Sequence, residues 1–305
     1  MLKTLFIALS QSKSLRSLAE KTSVGQRLSQ RFVAGFAVDD ALRTSRAMNQ
    51  IGLSVSVDNL GENVTNVEEA RQSAQLYHQL LEQMHQQKLN ANISLKLTHM
   101  GLDVDEDLAF ELTSGLVRHA VTVDNFVRVD MEGSPYTDKT LAFVHRLHRT
   151  AEFKQHVGAV IQSYLHRSEK DVEQLVAERI RIRLCKGAYK EPPEIAFEKK
   201  ADVDANYIKL MKILLMSGTY HGIATHDEKM IRATIEFARK ERVAAESFEF
   251  QMLYGVRRDL QKRLVKEGWR CRVYIPFGAE WYPYFMRRLA ERPANAIFIL
   301  KNLFR

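Results

Sequence analysis

The residues best placed to do chemistry lie near the C-terminus, in Tyr284-Phe285-Met286-Arg287-Arg288-Leu289-Ala290-Glu291-Arg292. Pro283 precedes them and suits the first position of a helix, where its missing N–H costs nothing. At about 3.6 residues per turn, Tyr284, Arg287, Arg288 and Glu291 share one side of that helix. Two adjacent guanidiniums repel each other, so something acidic must meet them if both are to sit there comfortably. A guanidinium is planar, permanently charged and shaped to grip a carboxylate or phosphate with two bonds. Glu291 can neutralise part of one at i,i+3 or i,i+4 spacing. The pair is either a clamp for an anion or a solvated basic face, and this stretch alone leaves both open.

The elements that must position these residues follow from hydrophobic periodicity. Short apolar runs, alternating with period 2 over 53–58 and 92–97, predict strands over 53–58, 92–97, 126–131, 157–162, 180–185, 222–226, 248–253 and 272–276. Helical spacing fills 67–88, 105–121, 137–153, 168–177, 202–217, 228–242 and 257–267. Eight strands, each followed by a helix, read as one α/β barrel of the (βα)8 TIM type over 51–305, with extra helices in 1–50 packed on or capping it. No Pro/Ser-rich linker or repeat divides it.

Chemistry in such barrels sits at the C-terminal strand ends. There the sequence places Asp58, Lys96, Asp130, Gln162, Arg183 with Lys186, Thr225 with His226, Gln251 and Tyr274. A core built only for stability would carry Val, Ile or Leu at most of these positions. A buried Arg183 must meet either protein carboxylates or a bound cofactor, because an unpartnered buried charge is very costly. Lys186-Gly187-Ala188 lets a ligand approach the backbone and offers a cation to phosphate. A two-His-plus-carboxylate metal cluster, a nucleophile elbow, a Walker loop and a Gly-x-Gly-x-x-Gly loop are all missing. His145 and His148, three apart on a helix, read as a solvated face rather than ligands.

The bulk numbers narrow the class. The 305 residues carry 45 Lys and Arg against 37 Asp and Glu, a net charge of +8. That suits an acidic ligand, an anionic membrane surface or nucleic acid, but nucleic-acid signatures are missing, so no nucleic-acid partner is expected. Cys185 and Cys271 lie in or beside strand-like runs and read as buried thiols in a reducing compartment. No apolar run is long enough to span a bilayer. Residues 1–33 are basic, with helical spacing of Leu2, Leu5, Phe6 and Leu9; they read as a packed helix, a surface-membrane contact or a transit segment.

Assembled, the motifs resemble the proline dehydrogenase family in its stand-alone form, over about Arg31 to Asn295. They are Arg31-Phe32-Val33-Ala34-Gly35, Asp58-Asn59-Leu60-Gly61-Glu62, Ser94-Leu95-Lys96-Leu97, Val129-Asp130-Met131-Glu132, Gln162-Ser163-Tyr164-Leu165 and Arg183-Leu184-Cys185-Lys186-Gly187-Ala188-Tyr189. Ala224-Thr225-His226, Phe250-Gln251-Met252-Leu253-Tyr254-Gly255 and Tyr284 through Glu291 complete the set. The resemblance implies a distorted (βα)8 barrel with noncovalent FAD. It implies oxidation of L-proline to Δ1-pyrroline-5-carboxylate by hydride transfer to flavin N5, with electrons passed to a membrane quinone. A separate pyrroline-5-carboxylate dehydrogenase would act downstream.

By the same resemblance, Lys96, Arg287 and Arg288 hold the proline carboxylate. Leu253, Tyr274 and Tyr284 wall the ring, and Asp130 supports the Lys96 side. Cofactor contacts fall on Asp130, Met131, Gln162, Arg183, Cys185, Lys186, Gly187, Ala188, Thr225, His226, Gln251 and Glu291, with Arg183 near N5. Lys96, Asp130, Arg183 and Tyr274 are the residues expected to carry catalysis. The family setting implies a cytoplasmic protein, peripheral at the inner face of the membrane, or on the matrix side of a mitochondrion. Lys190, Ser163 and Asp227 depart from common family residues, an aromatic, an Ala and an Asn respectively.

Two other readings stand beside this one. Lys96 could form a Schiff base, as in a lysine-dependent aldolase, if nearby Arg287 and Arg288 depressed its pKa. A non-enzymatic basic scaffold could dock on membrane or nucleic acid.

Overall fold

The computed structural model describes residues 30–291. Eight parallel strands close into a barrel in sequence order. They are β1 Ser54–Asn59, β2 Ala91–Leu95, β3 Val127–Val129, β4 Val157–Gln162, β5 Arg181–Cys185, β6 His221–Ala224, β7 Phe248–Leu253 and β8 Cys271–Phe277. The closing seam pairs Ser54 with Arg272 and Asn59 with Phe277. Each expected strand is present, shifted by at most a few residues.

The helices are α1 Val38–Gln50, α2 Val67–Gln86, α3 Glu106–Thr122, α4 Thr137–His148, α5 Ser168–Ala177, α6 Lys200–Met216, α7 Glu228–Lys240, α8 Arg258–Lys266 and α9 Trp281–Glu291. Their starts are written locally. Asn66 accepts from Glu69 N before α2, and Asp105 accepts from Leu108 N before α3, both at 3.0 Å. Their apolar faces, such as Tyr77, Leu80, Leu81 and Met84 of α2, are buried in the core around the barrel.

Some boundaries differ from expectation. The helix expected over 137–153 ends at His148, because Thr150 is extended and a separate 3₁₀ turn covers Ala151–Phe153. The last helix starts at Trp281, so Pro283 is its third residue; an N–H in the first turn has no helical partner anyway. His148 is buried and His145 Nδ1 lies 3.0 Å from Glu178, so this pair is not a solvated face. Of the N-terminal helices expected in 1–50, α1 is described, and residues 1–29 lie outside the described residues. The Arg31–Gly35 motif is a non-helical strap: Ala34 N donates to Pro276 O at 2.9 Å, and Gly278 N donates to Gly35 O at 3.0 Å. Among the described residues, no helix is long and apolar enough to cross a membrane.

Candidate active site

The barrel interior is a ladder of polar groups, built because alternate residues on each strand face inward. At its base Arg272 Nε donates to Glu249 Oε1 at 2.6 Å, and Gln251 Nε2 donates to the same oxygen at 2.6 Å. Gln251 Oε1 in turn accepts from Arg183 Nε at 2.5 Å. Arg183 Nη1 donates to Asp130 Oδ1 at 2.7 Å and to Ser94 Oγ at 3.1 Å, while Nη2 reaches Ser56 Oγ at 3.2 Å. Gly222 has no side chain, which leaves room for the Gln251 amide that a Cβ there would strike.

The buried guanidinium therefore meets a protein carboxylate. Arg183 and Asp130 have only 8% and 13% of their side chains exposed, so their charges must be matched within the barrel. Asp130 Oδ2 accepts from Tyr274 OH at 2.9 Å, and the Arg183 guanidinium lies 5.2 Å from the Tyr274 ring centroid. The ends of β3, β5 and β8 thus lock one carboxylate, one cation and one phenol into fixed relative positions. Burial raises the Tyr274 pKa, with the Asp130 charge adding to it, so the phenol stays protonated.

Lys96 follows β2 and turns toward β1. Its Nζ lies 3.5 Å from Asp58 Oδ2. Asp58 also accepts from Tyr77 OH at 3.2 Å. The carboxylate beside Lys96 is thus Asp58, whereas Asp130, expected on that side, is bound to Arg183, Ser94 and Tyr274. Burial would push the ammonium down, but Asp58, Asp130 and Glu62 outweigh it and raise the Lys96 pKa. A Schiff-base lysine must be neutral, so these carboxylates oppose the aldolase reading. Burial dominates at Asp58, raising its carboxyl against the pull of Lys96.

Gln162 ends β4. Its Nε2 donates to Met131 O at 3.1 Å, while its Oε1 is buried and meets no donor among the described residues. Such a bare acceptor is uncommon and marks a place for a ligand N–H. After β5, Gly187 is left-handed at φ 109°, and a Cβ there would run into the Tyr164 ring. Cys185 is a free thiol pushed up to about 12 by burial, so it is a neutral neighbour and no nucleophile. Cys271, also free, is pushed up to about 12 in the same way.

Lys186 differs from expectation. Its ammonium is not held open for phosphate but donates to Asp204 and, at 2.8 Å, to Asp227. Beside it, Thr225 Oγ1 accepts from Asp227 N at 3.0 Å. Leu253 N donates to His226 Nε2 at 2.9 Å, so the neutral ring carries its proton on Nδ1. Ala188 and Gly187 lie exposed in the same loop.

α9 closes the mouth. Its Trp281, Tyr284 and Phe285 pack with Leu60 after β1, Val256 after β7, and Phe32 and Val33 of the strap. Tyr284 is buried, and the Arg288 guanidinium lies 5.1 Å from its ring centroid. The side chains of Arg287 and Glu291 lie outside those described. The structure thus joins Asp130, Arg183, Tyr274 and Gln251 through one hydrogen-bond network, with the Lys96–Asp58 pair beside it and Gln162 and the Lys186 cluster on neighbouring strand ends. Sequence reasoning missed Glu249, Arg272, Ser56 and Ser94 as its floor. Their signal was charge and hydroxyl at inward strand positions, which hydrophobic counting passes over. Among the described residues, no group of three or more His, Cys, Asp or Glu is placed to hold a metal ion.

A closed parallel barrel with catalytic-type polar groups at its C-terminal strand ends defines a (βα)8-barrel enzyme. Comparison with known proteins narrows this. The family model described as Proline dehydrogenase matches residues 41–301. Proline dehydrogenase 1 of Bacillus subtilis subsp. natto is 40% identical over 306 residues, spanning 100% of both chains. Proline dehydrogenase of Deinococcus radiodurans is 38% identical over 304 residues, spanning 96% of this chain and 97% of its own. The crystal structure of proline utilization A (PutA) from Bdellovibrio bacteriovorus inactivated by N-propargylglycine superposes with a TM-score of 0.83 at 26% identity, over 89% of this chain. This chain spans only 33% of that longer one. The chain belongs to the proline dehydrogenase family, and it is an oxidoreductase of proline catabolism.

Proposed function

We propose that the enzyme oxidises L-proline to Δ1-pyrroline-5-carboxylate with noncovalent FAD, and that a quinone takes the electrons. The observation that carries the flavin reading is the buried, unmatched Oε1 of Gln162. An isoalloxazine ring offers an N–H to such an acceptor. Arg183, whose position is fixed by Asp130 and Gln251, would add a cation to that site, and Gly187 with Ala188 leaves backbone open to a close approach. These residues fit the group, and Met131, Thr225 and His226 would complete its surroundings. When bound, FAD supplies the two-electron acceptor that no side chain provides.

This chain's residues do the rest. Lys96, kept charged by Asp58, binds the substrate carboxylate together with Arg288 and Arg287. Tyr274, anchored to Asp130, and Leu253, anchored to His226, wall the ring so that its reacting carbon is presented in one orientation. Tyr284 closes the pocket from α9. The amine must be neutral for its lone pair to stabilise the developing iminium. The quinone reading requires contact with a membrane surface, and the product would pass to a separate pyrroline-5-carboxylate dehydrogenase.

The pH profile tests this division of labour. The proline amine loses its proton as pH rises, which favours reaction. A raised Lys96 pKa keeps the ammonium charged as pH rises and is lost only above its ordinary value. The expected kcat/KM for L-proline therefore rises from neutral pH to about pH 9 without a falling limb. A decline across that range would show that the carboxylate clamp discharges too early to be built on Lys96.

A further inference from the structure

We propose that Asp227 sets the affinity for the cofactor by competing with its diphosphate for the Lys186 ammonium. The inference rests on the FAD reading above and concerns the strength of that same site.

Lys186 Nζ donates to Asp227 Oδ2 at 2.8 Å and also to Asp204. An ammonium has three N–H donors and no acceptor, so two are already committed. Lys200 pairs with Asp204 and lies 3.5 Å from Asp227 Oδ2. Two ammoniums and two carboxylates sum to zero charge. The cluster therefore offers a phosphate no net attraction, although Lys186 follows β5 directly, beside the exposed Gly187-Ala188 backbone. A diphosphate that draws on Lys186 must do so against carboxylates already in contact with it.

The two carboxylates are not equivalent. Asp204 has Lys200 as its own i,i+4 partner on α6. Asp227 has Lys200 only at the longer 3.5 Å, so most of its charge bears on Lys186. Burial would raise the Asp227 carboxyl, but Lys186 and the Lys229 N–H hold it below the usual range, so it is ionised at neutral pH. Asp227 also caps α7, its Oδ1 accepting from Lys229 N at 3.0 Å. Asparagine caps a helix about as well as aspartate. Asp227→Asn thus removes the charge and keeps the cap.

The test titrates the full chain, stripped of flavin, with FAD and separately with riboflavin, which has no phosphate. Flavin fluorescence reports binding. Asp227→Asn is expected to bind FAD on the order of tenfold more tightly, with riboflavin affinity and the thermal midpoint unchanged. In a Lys186→Gln background the same substitution is expected to shift FAD affinity no more than riboflavin affinity. Unchanged or weaker FAD binding overturns the inference, as does an equal shift for both flavins, which would mark a general change in the fold. A wild-type chain that binds riboflavin no worse than FAD removes the phosphate contribution on which Asp227 would act. A chain that binds neither flavin overturns the FAD reading itself.

Discussion

Asp130→Asn is expected to lower kcat/KM for L-proline by roughly two to three orders of magnitude, with FAD still bound. Asp130 is the carboxylate of the Arg183 ion pair and accepts from Tyr274 and Ser94 as well. Asparagine keeps the volume but leaves a guanidinium with 8% of its side chain exposed next to a neutral amide. Removing one partner of a buried ion pair costs about 3–5 kcal/mol, because the other charge stays in place without its match. Part of that cost falls on the fold, so a lower thermal midpoint should accompany the loss. The remainder falls on the site, since Arg183 and Tyr274 both lose their fixed point. Steady-state kinetics with a flavin absorbance check separates the two. A variant within a few-fold of wild type would mean that the network is a structural floor only.

Arg288→Ala should act differently. It is expected to raise KM for L-proline by about tenfold to a hundredfold, with a smaller change in kcat. A hydrogen bond to a charged group contributes about 1.5–3 kcal/mol, and this one would be made to substrate and transition state alike. Lys96 is not part of α9 and stays charged through Asp58, so binding is weakened rather than abolished. The Tyr284 ring also loses its cation, 5.1 Å from the ring centroid, which should loosen the packing at the helix face. The measurement is initial rate against proline concentration. An unchanged KM would exclude Arg288 from the carboxylate clamp and return it to a solvated basic face.

Much of this architecture was legible in the chain. All eight strands were marked by short apolar runs, some of them alternating, and the polar residues at their ends identified the working face of the barrel. What escaped was pairing. Arg183 was readable as a buried charge that needed a partner, but which carboxylate served it depends on strands 53 residues apart in sequence. Asp58 and Asp130 have similar strand-end positions, and only the folded barrel shows that one meets Lys96 and the other Arg183. Lys186 read as an open phosphate cation because Asp204 and Asp227 come from different helices and loops. Glu249 and Arg272 were hidden inside apolar runs, where a charge looks like noise until the partner appears on the neighbouring strand.

The central claim is that this barrel holds a flavin that proline reduces. The most direct measurement is the visible spectrum of the purified protein, recorded without air before and after L-proline is added. The account predicts a yellow protein whose flavin absorbance bleaches with proline and returns when a quinone is supplied. A colourless preparation that takes up no FAD, or a yellow one whose spectrum proline leaves untouched, would contradict it.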